Sequence, residues 1–462
     1  DLRTLPGHRI LAINRGEREG FLKVAMPLDD AASVGVLNKA FVRDGSITTD
    51  QVKMAADDAW QRLIAPSIVR EVRTELTDRA SAAAVQVFGK NLHQLLMAPP
   101  VKGRVTLGVD PGFRTGCKLA VVDENGKVLA TGVGHFTLPG QEAAKARAHS
   151  EIVALCRKHG VTAIAIGNGT ASREAEQFIV SLLPEMPKGC AYMIVSEAGA
   201  SVYSASKLAA EEFPQFDVSL RSAVSIARRM QDPLAELVKI DPKAIGVGQY
   251  QHDLKESDLT GALEGVVEGC VNTVGVEAST ASPALLSHVA GIGPALAKNI
   301  VAYREENGIR SRAELKKVSK LGPKAFEQCA GFIRVADSDN VLDATAVHPE
   351  SYAAAKAMLA ALGYTLQDVR AGNLADLQKR AEEKGIRALA SELQIGEPTL
   401  RDILRELPKP GRDPRDDLPK PILRTDVLDI KDIQPGMELM GTVRNVIDFG
   451  AFIDIGVHQD GL

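Results

Sequence analysis

A glycine-rich connection between two apolar segments, residues 105–123 (VTLGVDPGFRTGCKLAVVD), constrains the fold of this chain more than any other stretch. Residues 105–109 and 118–122 are rich in β-branched side chains, which predicts two strands. Asp110 stands at the end of the first strand, and the Pro-Gly pair after it turns the chain. A carboxylate there can either take a metal ion at the sheet edge or only cap its own turn. The stretch by itself leaves both interpretations open.

The composition leaves nucleic-acid binding open but restricts how it can occur. The chain has 462 residues, enough for three or more domains, and its 55 Lys and Arg residues against 59 Asp and Glu residues give a net charge of −4. A nucleic-acid partner would therefore have to contact a locally basic surface. The sequence has no signal-like N-terminus and no apolar run of about 18 residues, so we expect a cytoplasmic protein without membrane contact.

The cysteines and aromatic residues narrow the chemistry further. The five cysteines are scattered and form no CxxC pair, which argues against a zinc site or a disulfide framework and is typical of a reducing compartment. Aromatic residues make up 4% of the chain, so wide base-stacking surfaces are not expected over most of it.

Residues 101–235 alternate strands and helices in the predicted order βββαβαβα. The predicted strands are 105–109, 118–122, 128–135, 161–169 and 191–199, and the predicted helices are 141–159, 171–183, 200–212 and 220–231. Glu197 lies at the end of the fifth strand, so this domain carries a second carboxylate where a strand ends.

The preceding and following regions are predicted to be helical. Before residue 101 the pattern indicates helices at 52–64, 67–76 and 79–97, with one short strand pair within 8–26. After residue 235, glycines recur at four-residue spacing on a helix, which we interpret as close helix packing. These glycines are Gly261, Gly265 and Gly269.

Residues 284–334 carry the clearest binding signal. Two glycine turns, each between two helices, lie in HVAGIGPALAKNIVAYREENG and SKLGPKAFEQCAGFIRV and resemble paired helix-hairpin-helix motifs. Backbone amides at such helix starts bind phosphate, and the segment holds nine Lys and Arg residues against four Asp and Glu residues. A packing unit with purely structural turns is the alternative. The predicted nucleic-acid-binding residues here are Gly291, Gly293, Lys298, Lys320, Gly322 and Lys324.

The C-terminal part begins with a linker and ends in alternating strands. Residues 408–421 contain five prolines and predict a semi-rigid exposed linker. Residues 434–462 (QPGMELMGTVRNVIDFGAFIDIGVHQDGL) look like the first half of an S1-type RNA-binding domain, a five-stranded OB fold. In that resemblance Phe449, Phe452 and His458 match the base-contacting positions. Alternation along the strand implies that one of the two phenylalanines is core.

The loop sequences together are more specific than any single motif. The strings that carry this resemblance are GVDPGFRTGCKLAVVD, AIGNGTASRE, SEAGASVYSAS, RSAVSIARRMQDPLAELVKIDPKAIGVGQYQHD and DATAVHPESY. In this order they resemble the Tex family of bacterial transcription accessory proteins over essentially the whole chain. The resemblance implies a ribonuclease-H-like domain of the YqgF type, related to Holliday-junction resolvases, with helix-hairpin-helix motifs and an S1 domain.

This fold implies a two-metal nuclease site, but the acidic set is incomplete. Such nucleases need three or four carboxylates around two divalent metals. Asp110 and Glu197 match two of these positions and are the tentative catalytic and metal-binding residues. Asn168 stands where resolvases carry a glutamate, and the closing helix (RSAVSIARRM) offers arginines that suit phosphate better. We therefore expect a degenerate site that requires no cofactor and leaves room for one weakly bound Mg²⁺ or Mn²⁺.

The sequence as a whole predicts a multidomain, mainly α protein with one α/β domain. The predicted domains are a mostly helical region (1–100), a ribonuclease-H-like mixed-sheet domain (101–235), a helical connector (236–283), a helix-hairpin-helix pair (284–345), a second helical, helix-hairpin-helix-like domain (346–407), a proline-rich linker (408–433) and a truncated S1-type OB-fold β-barrel (434–462).

The predicted function follows from this set of domains. We expect a monomeric, transcription-associated factor that binds single-stranded RNA, with DNA as a further ligand, and that works with the transcription or translation machinery. The alternatives are a metal-dependent, structure-selective nuclease of the ribonuclease-H-like superfamily and a pure protein-interaction scaffold.

Overall fold

The computed structural model describes residues 4–246, 248, 250–425, 435–439, 441–447, 450–455 and 460–462. The chain divides into two compact units, each treated by itself below. The first unit combines Asp1–Leu92 with Gly246–Val266, and the second combines His93–Ile245 with Val267–Leu462.

The N-terminal region is helical throughout its regular elements. These are α1 (Gly7–Arg18), α2 (Asp30–Phe41), α3 (Thr49–Ala59), a π-helical turn (Trp60–Ile64) and α4 (Ala65–Leu96). The strand pair predicted within residues 8–26 is wrong, because the backbone amides of Phe21 and Leu22 donate to the Gly16 carbonyl and close the end of α1. The break predicted after residue 76 is also wrong, since α4 runs through it without interruption.

A five-stranded mixed sheet forms the α/β domain of the second unit. Its strands are β1 (Thr106–Asp110), β2 (Cys117–Val122), β3 (Val128–Gly134), β4 (Ala163–Gly167) and β5 (Ala191–Val195), in the order β3-β2-β1-β4-β5. Strands β1, β2 and β3 pair antiparallel, whereas β4 lies parallel to β1 and to β5. Its helices are α5 (Glu142–His159), α6 (Ser172–Leu182), α7 (Ala200–Ala205), α8 (Lys207–Glu212), α9 (Val218–Gln231) and α10 (Pro233–Leu237).

The two faces of this sheet differ in side-chain size, which sets where α9 packs. One face buries large side chains such as Leu107 and Ile164 in the main core, and the other presents alanines and Gly108. A Cβ placed on Gly108 would lie 2.2 Å from the Ala223 carbonyl oxygen, so the backbone of α9 lies directly on β1. The closing helix is thereby brought to the strand that ends at Asp110.

The remaining helices build the connector and two helical modules. They are α11 (Glu256–Val274), α12 (Pro283–Leu286), α13 (Pro294–Asn307), α14 (Pro323–Cys329), α15 (Tyr352–Ala361), α16 (Leu366–Ala371), α17 (Leu377–Lys384), α18 (Ile386–Glu392) and α19 (Glu397–Glu406). Short strands β6 (Val276–Glu277) and β7 (Ile333–Arg334) pair in parallel across the first module. Helices α15 to α19 enclose their own core.

The close helix packing expected at the α11 glycines is not found. Gly261, Gly265 and Gly269 are exposed, and a Cβ placed on any of them would meet no atom within 4 Å. Spacing alone therefore did not identify the buried stripe of α11, which is formed instead by Leu263 and Val267 among others.

The proline-rich segment is docked on the α/β domain rather than being an exposed linker. Asp413 and Arg415 are buried, and Arg415 pairs with Asp232 at 2.8 Å and with Asp413 at 2.8 Å. Lys102 also reaches Asp413 at 2.8 Å. Farther on, Arg424 exchanges two backbone hydrogen bonds with Tyr192 of β5. The expectation of an exposed linker failed because its charged residues find buried partners far away in sequence.

The C-terminal strands are β8 (Thr442–Ile447), β9 (Gly450–Asp454) and β10 (Asp460–Gly461), in an antiparallel sheet of order β10-β9-β8. Phe452 lies on β9 opposite Asn445, whereas Phe449 and His458 fall outside the described residues. The OB fold stays a prediction. Among the helices of the described ranges, none combines the length and apolarity needed to cross a bilayer.

Candidate functional site

The first hairpin, formed by residues 283–307, joins α12 to α13 through a sharp glycine turn. Gly291 has a φ of 79°, in the left-handed region that glycine tolerates at little cost. Ile292 is buried beneath the turn and its N–H donates to the Val289 carbonyl at 2.9 Å. Gly293 then caps α13 in an extended conformation, with no side chain bonded to the first amides of the helix.

The second hairpin, residues 312–329, repeats this geometry. Lys320 takes the place of Gly291 with a φ of 66°, and the buried Leu321 takes the place of Ile292. Gly322 caps α14 with φ −78° and ψ 171°, close to the −86° and 171° of Gly293. The left-handed backbone conformation costs free energy at a lysine. No sequence pattern predicted this conformation at Lys320.

Both capping glycines leave the helix starts open. A Cβ placed on Gly293 or on Gly322 would meet no atom within 4 Å. A ligand oxygen can therefore approach the backbone there, and the free N–H groups and helix dipole favour an anion. The predicted residues Gly291, Gly293 and Gly322 are thus brought into two equivalent turns.

The two hairpins pack against each other as one body. A Cβ on Gly291 would lie 2.8 Å from the Cβ of Gln328 on α14, so only glycine fits at this contact. The side chain of Asn299 donates from Nδ2 to the Ser319 carbonyl at 2.9 Å, which ties α13 to the second turn. Asn299 was not predicted, because a lone polar residue on a helix gives no pattern.

The predicted lysines point to solvent. Lys298, Lys320 and Lys324 are exposed, and none pairs with an acidic side chain in the described part of the chain. By contrast, Lys317 lies 3.5 Å from Glu314, and Lys316 sits over the ring of Phe326. Three unpaired cations beside two open helix starts form a surface that can neutralise phosphates.

A third turn of the same form lies between α18 and α19. Gln394 has a φ of 55°, Ile395 follows it, and Gly396 caps α19 in an extended conformation. Here, however, Glu397 begins the helix and places a negative charge where the other hairpins are neutral. This hairpin therefore fits the expected degenerate array and lacks the electrostatics for phosphate.

The segment DATAVHPESY, residues 343–352, surrounds the side chain of Arg312. From the sequence alone, this segment only contributed to the family resemblance. The Arg312 guanidinium is buried and donates to the carbonyls of Ile333 at 2.7 Å and Val347 at 2.7 Å and to the Tyr352 hydroxyl at 2.7 Å. Burial lowers the pKa of Arg312, and Tyr352 and Asp343 oppose that shift. The string thus holds the hairpin pair against the next helical module.

In the nuclease-like site, Asp110 ends β1 in a largely enclosed position. Burial raises the pKa of Asp110, although a hydrogen bond from Ser222 and the charge of Lys118 both act to lower it. Lys118 faces Asp110 across the antiparallel β1–β2 register and is itself buried. Its Nζ donates to the carbonyls of Thr115 at 2.6 Å and Gly116 at 2.9 Å.

Glu197 follows β5 by two residues and rests on the glycines that end β4. A Cβ placed on Gly169 would lie 1.5 Å from Glu197 Oε1, so any side chain there would displace the carboxylate. Asn168 holds this loop in place, because its Oδ1 accepts the Glu197 backbone N–H at 3.0 Å. Burial, and to a smaller extent the nearby charge of Asp110, raise the pKa of Glu197.

Each arginine of the closing helix donates to backbone carbonyls. The Nη1 of Arg229 donates to the carbonyls of Ser196 at 2.8 Å and Ala198 at 2.8 Å, on either side of Glu197. Arg228 donates to the Gly126 carbonyl at 2.7 Å, and Arg221 donates to the Phe213 carbonyl at 3.2 Å. These contacts use only some of the guanidinium nitrogens, and Nε and Nη2 of Arg229 have no hydrogen-bond partner among the described residues, so the expectation that these side chains suit phosphate stays a prediction.

These residues do not fit a two-metal centre. Each carboxylate has a basic side chain near it, Lys118 by Asp110 and Arg229 by Glu197, whose positive charge disfavours a second cation. Across the described ranges, no group of three His, Cys, Asp or Glu side chains converges on a common point. Asp232, a further acid of this region, caps α10 and pairs with Arg415.

Four family models match the chain in adjacent segments. They are the Tex central region-like model over residues 1–88, the Tex protein YqgF-like domain over 104–231, the helix-hairpin-helix motif over 271–334 and the HHH domain over 340–415. The two hairpins with exposed lysines fall within the third of these segments.

Curated relatives match the whole chain. Protein tex of Bordetella pertussis is 46% identical over 100% of this chain and 59% of the relative. The transcriptional accessory protein Tex of Neisseria gonorrhoeae is 47% identical over 100% of the chain and 60% of the relative, and YdcI of Bacillus subtilis is 51% identical over 98% and 63%. The chain thus spans about three fifths of the length of these relatives.

A solved structure of RuvC from Thermus thermophilus also aligns with part of the chain. It is 18% identical, covers 29% of this chain and 95% of RuvC, and has a TM-score of 0.23, too low to bear on the fold. The assignment rests instead on the four consecutive domain matches and on the relatives that share the full chain. On these grounds the chain belongs to the Tex family of transcription accessory proteins.

Proposed function

We propose that this chain is the nucleic-acid-binding part of a transcription accessory factor that prefers single-stranded RNA and also binds DNA. The hairpin pair carries the proposal, because it combines two open helix starts with three exposed and unpaired lysines. Contacts of this kind go to the phosphate backbone, so they supply affinity that falls with salt and does not depend on sequence.

The nuclease-like domain serves as a scaffold in this proposal. We propose that the chain does not cleave nucleic acid and requires no cofactor, and that any Mg²⁺ or Mn²⁺ at Asp110 and Glu197 binds weakly. Basic side chains near both carboxylates support this, since their positive charge disfavours a second cation.

We further propose an oligomeric state, a location and partners for this protein. The factor acts as a monomer in the cytoplasm with the transcription or translation machinery. We also propose that Phe449, Phe452 and His458 contact bases of single-stranded RNA, as the resemblance to an S1-type domain implies. If Phe452 stacks on a base, Phe452→Ala should weaken RNA binding by about 1–3 kcal/mol while the chain stays folded by circular dichroism. Unfolding of this variant would show that Phe452 belongs to the core.

The experiment compares two double charge reversals in the full chain by fluorescence anisotropy over a salt series. Lys298→Glu with Lys324→Glu should weaken binding to RNA and DNA of every sequence alike and reduce the salt slope by about two. The control is Lys158→Glu with Lys188→Glu, which changes the net charge equally at exposed lysines of the α/β domain. Equal behaviour of the two double variants would overturn the proposal.

A further inference from the structure

A cavity of about 490 Å³ lies beside the second hairpin, and phosphate binding does not account for it. Its walls include Leu321 and Pro323 from the hairpin and Pro349 from the segment after the Arg312 contacts. The volume lies in the range of sites that enclose small organic ligands. The lining also includes Lys316, Glu327, His348 and Glu350, so the cavity is mixed in character. Together with the exposed lysines beside it, this lining suits a ligand that has a flat apolar face, hydrogen-bonding edges and an attached anion.

One wall of the cavity is aromatic and already carries a cation. Phe326 is half-buried, and the Nζ of Lys316 lies 4.7 Å from the centre of its ring. Both side chains line the cavity. The contact shows that a ring face is accessible from the cavity side, because an exposed lysine reaches it.

Another lining residue, His348, is held in place by hydrogen bonds to the backbone. His348 Nε2 donates to the Glu327 carbonyl at 2.9 Å, and Nδ1 accepts the Glu350 N–H at 3.4 Å. A Cβ placed on Gly331 would lie 3.2 Å from His348 Cδ2, so the imidazole also packs on the backbone. A ring held on both edges gives the cavity a preorganised planar wall, which lowers the entropy lost on binding.

We propose that this cavity receives one unpaired nucleobase from a strand whose phosphates contact the hairpin lysines. The inference rests on the proposed function for the phosphate contacts and adds a subsite for the base. Phe326, the His348 ring and the prolines offer flat apolar contacts that suit a base of any identity. Lys320 and Lys324 belong to the hairpin that lines the cavity, so the same nucleotide can satisfy both features.

Binding exchanges one contact of Phe326 for another. The base takes the ring face that Lys316 covers, and the released ammonium becomes free to approach a phosphate oxygen. Stacking of a base on an aromatic ring is stronger than an exposed cation–π contact, so the exchange favours the bound state. A base within a duplex is already stacked and paired and does not enter, so the cavity selects single strands.

The test uses three fluorescent ligands with the full chain. They are a single-stranded oligonucleotide, the same strand with abasic sugars throughout, and the blunt duplex. Phe326→Leu keeps an apolar side chain but removes the ring, and Phe332→Leu is the matched control, because Phe332 is half-buried in the same module and does not line the cavity. Phe326→Leu should weaken binding of the normal single strand by about 5- to 150-fold and leave the abasic strand and the duplex unchanged.

The outcomes separate this subsite from the phosphate contacts. Failure of the lysine charge reversals to weaken any ligand contradicts the proposed function, whereas equal binding of the normal strand by Phe326→Leu and the parent overturns the base subsite alone. An equal loss on normal and abasic strands also overturns it, because the ring would then act through packing.

A second measurement keeps the idea testable if Phe326→Leu unfolds by circular dichroism. A strand carrying 5-iodouracil, irradiated on the unaltered chain, should crosslink to a peptide containing Phe326 or His348. Crosslinks confined to other peptides would contradict the proposal.

Discussion

The hairpin pair and the nuclease-like site both contain basic side chains, but these side chains face solvent in the hairpins and the protein interior in the nuclease-like site. In the hairpins, Lys298 and Lys324 face solvent beside open backbone amides. In the nuclease-like site, Lys118 and Arg229 are buried and donate to backbone carbonyls near Asp110 and Glu197. The first arrangement leaves positive charge for a ligand, and the second uses it to hold the fold. Residue type alone therefore does not distinguish a binding surface from a scaffold.

The largest expected effect concerns the ion-pair network that docks the proline-rich segment on the scaffold domain. Arg415→Met removes the cation between Asp232 and Asp413 and should lower the free energy of unfolding by about 3 kcal/mol, because the buried Asp413 carboxylate then keeps only the half-exposed Lys102 as its partner. Urea denaturation measures the change. Arg401→Met, at an exposed arginine of α19, is the control and should change little. Equal values for both variants would show that the docking is marginal.

The same network predicts an acid dependence. Hydrogen bonds from Arg415 and Lys102 outweigh burial and lower the pKa of Asp413 from 3.8 to about 2. A depressed pKa means that the ionised carboxylate stabilises the fold above the unfolded value, and that this contribution disappears as the pH falls from about 4 toward 2. The parent should lose more stability over this window than Arg415→Met, and parallel loss in both would refute the assignment.

The contact between α9 and β1 allows a test of whether the α/β domain serves only as a scaffold. Gly108→Ala would push a Cβ to 2.2 Å from the Ala223 carbonyl and should destabilise the chain by about 3 kcal/mol, since neither backbone can yield easily. Gly132→Ala in the same sheet is the control, because its added Cβ would be 3.9 Å from the nearest atom, a Leu119 carbon. Nucleic-acid affinity of folded protein should be unchanged in both. Weaker binding by folded Gly108→Ala would mean that the scaffold domain takes part in recognition.

The residues with a left-handed backbone, Gly291 and Lys320, allow the two hairpins to be compared. Lys320→Gly should stabilise the chain by up to about 1 kcal/mol, because glycine adopts a positive φ without the cost borne by lysine. Gly291→Lys should destabilise it, since its Cβ would meet Gln328 at 2.8 Å. Thermal denaturation measures both. A stabilised Lys320→Gly that also binds RNA more weakly would show that the lysine is retained for its charge.

The smallest effect is expected on replacing Asp110, the carboxylate at the end of β1. Burial raises the pKa of Asp110, so its ionised form is less favourable in the folded chain than in the unfolded one at neutral pH. Asp110→Asn should therefore leave thermal stability equal or slightly higher at pH above that pKa and should leave RNA affinity unchanged. Clear destabilisation would point to a bonded role that outweighs the cost of burial.

The sequence was a good guide where one pattern determines one element. Apolar runs rich in β-branched residues located strands of the mixed sheet, and the glycine turns located both hairpins. It failed where partners are distant in sequence, as for Arg415 with Asp232, or where a side chain bonds to backbone carbonyls, as for Arg229 and Arg312. It also failed at Gly261, because regular spacing does not say whether a helix face is covered.

We propose that this chain binds nucleic acid without cleaving it. The direct measurement incubates the full chain with end-labelled single-stranded RNA, single-stranded DNA and a four-way junction in Mg²⁺ or Mn²⁺, and follows binding and strand integrity in the same samples. We expect bound, intact strands for the parent and for Asp110→Asn alike. Metal-dependent cleavage by the parent that is lost in Asp110→Asn would show instead that the chain is a nuclease.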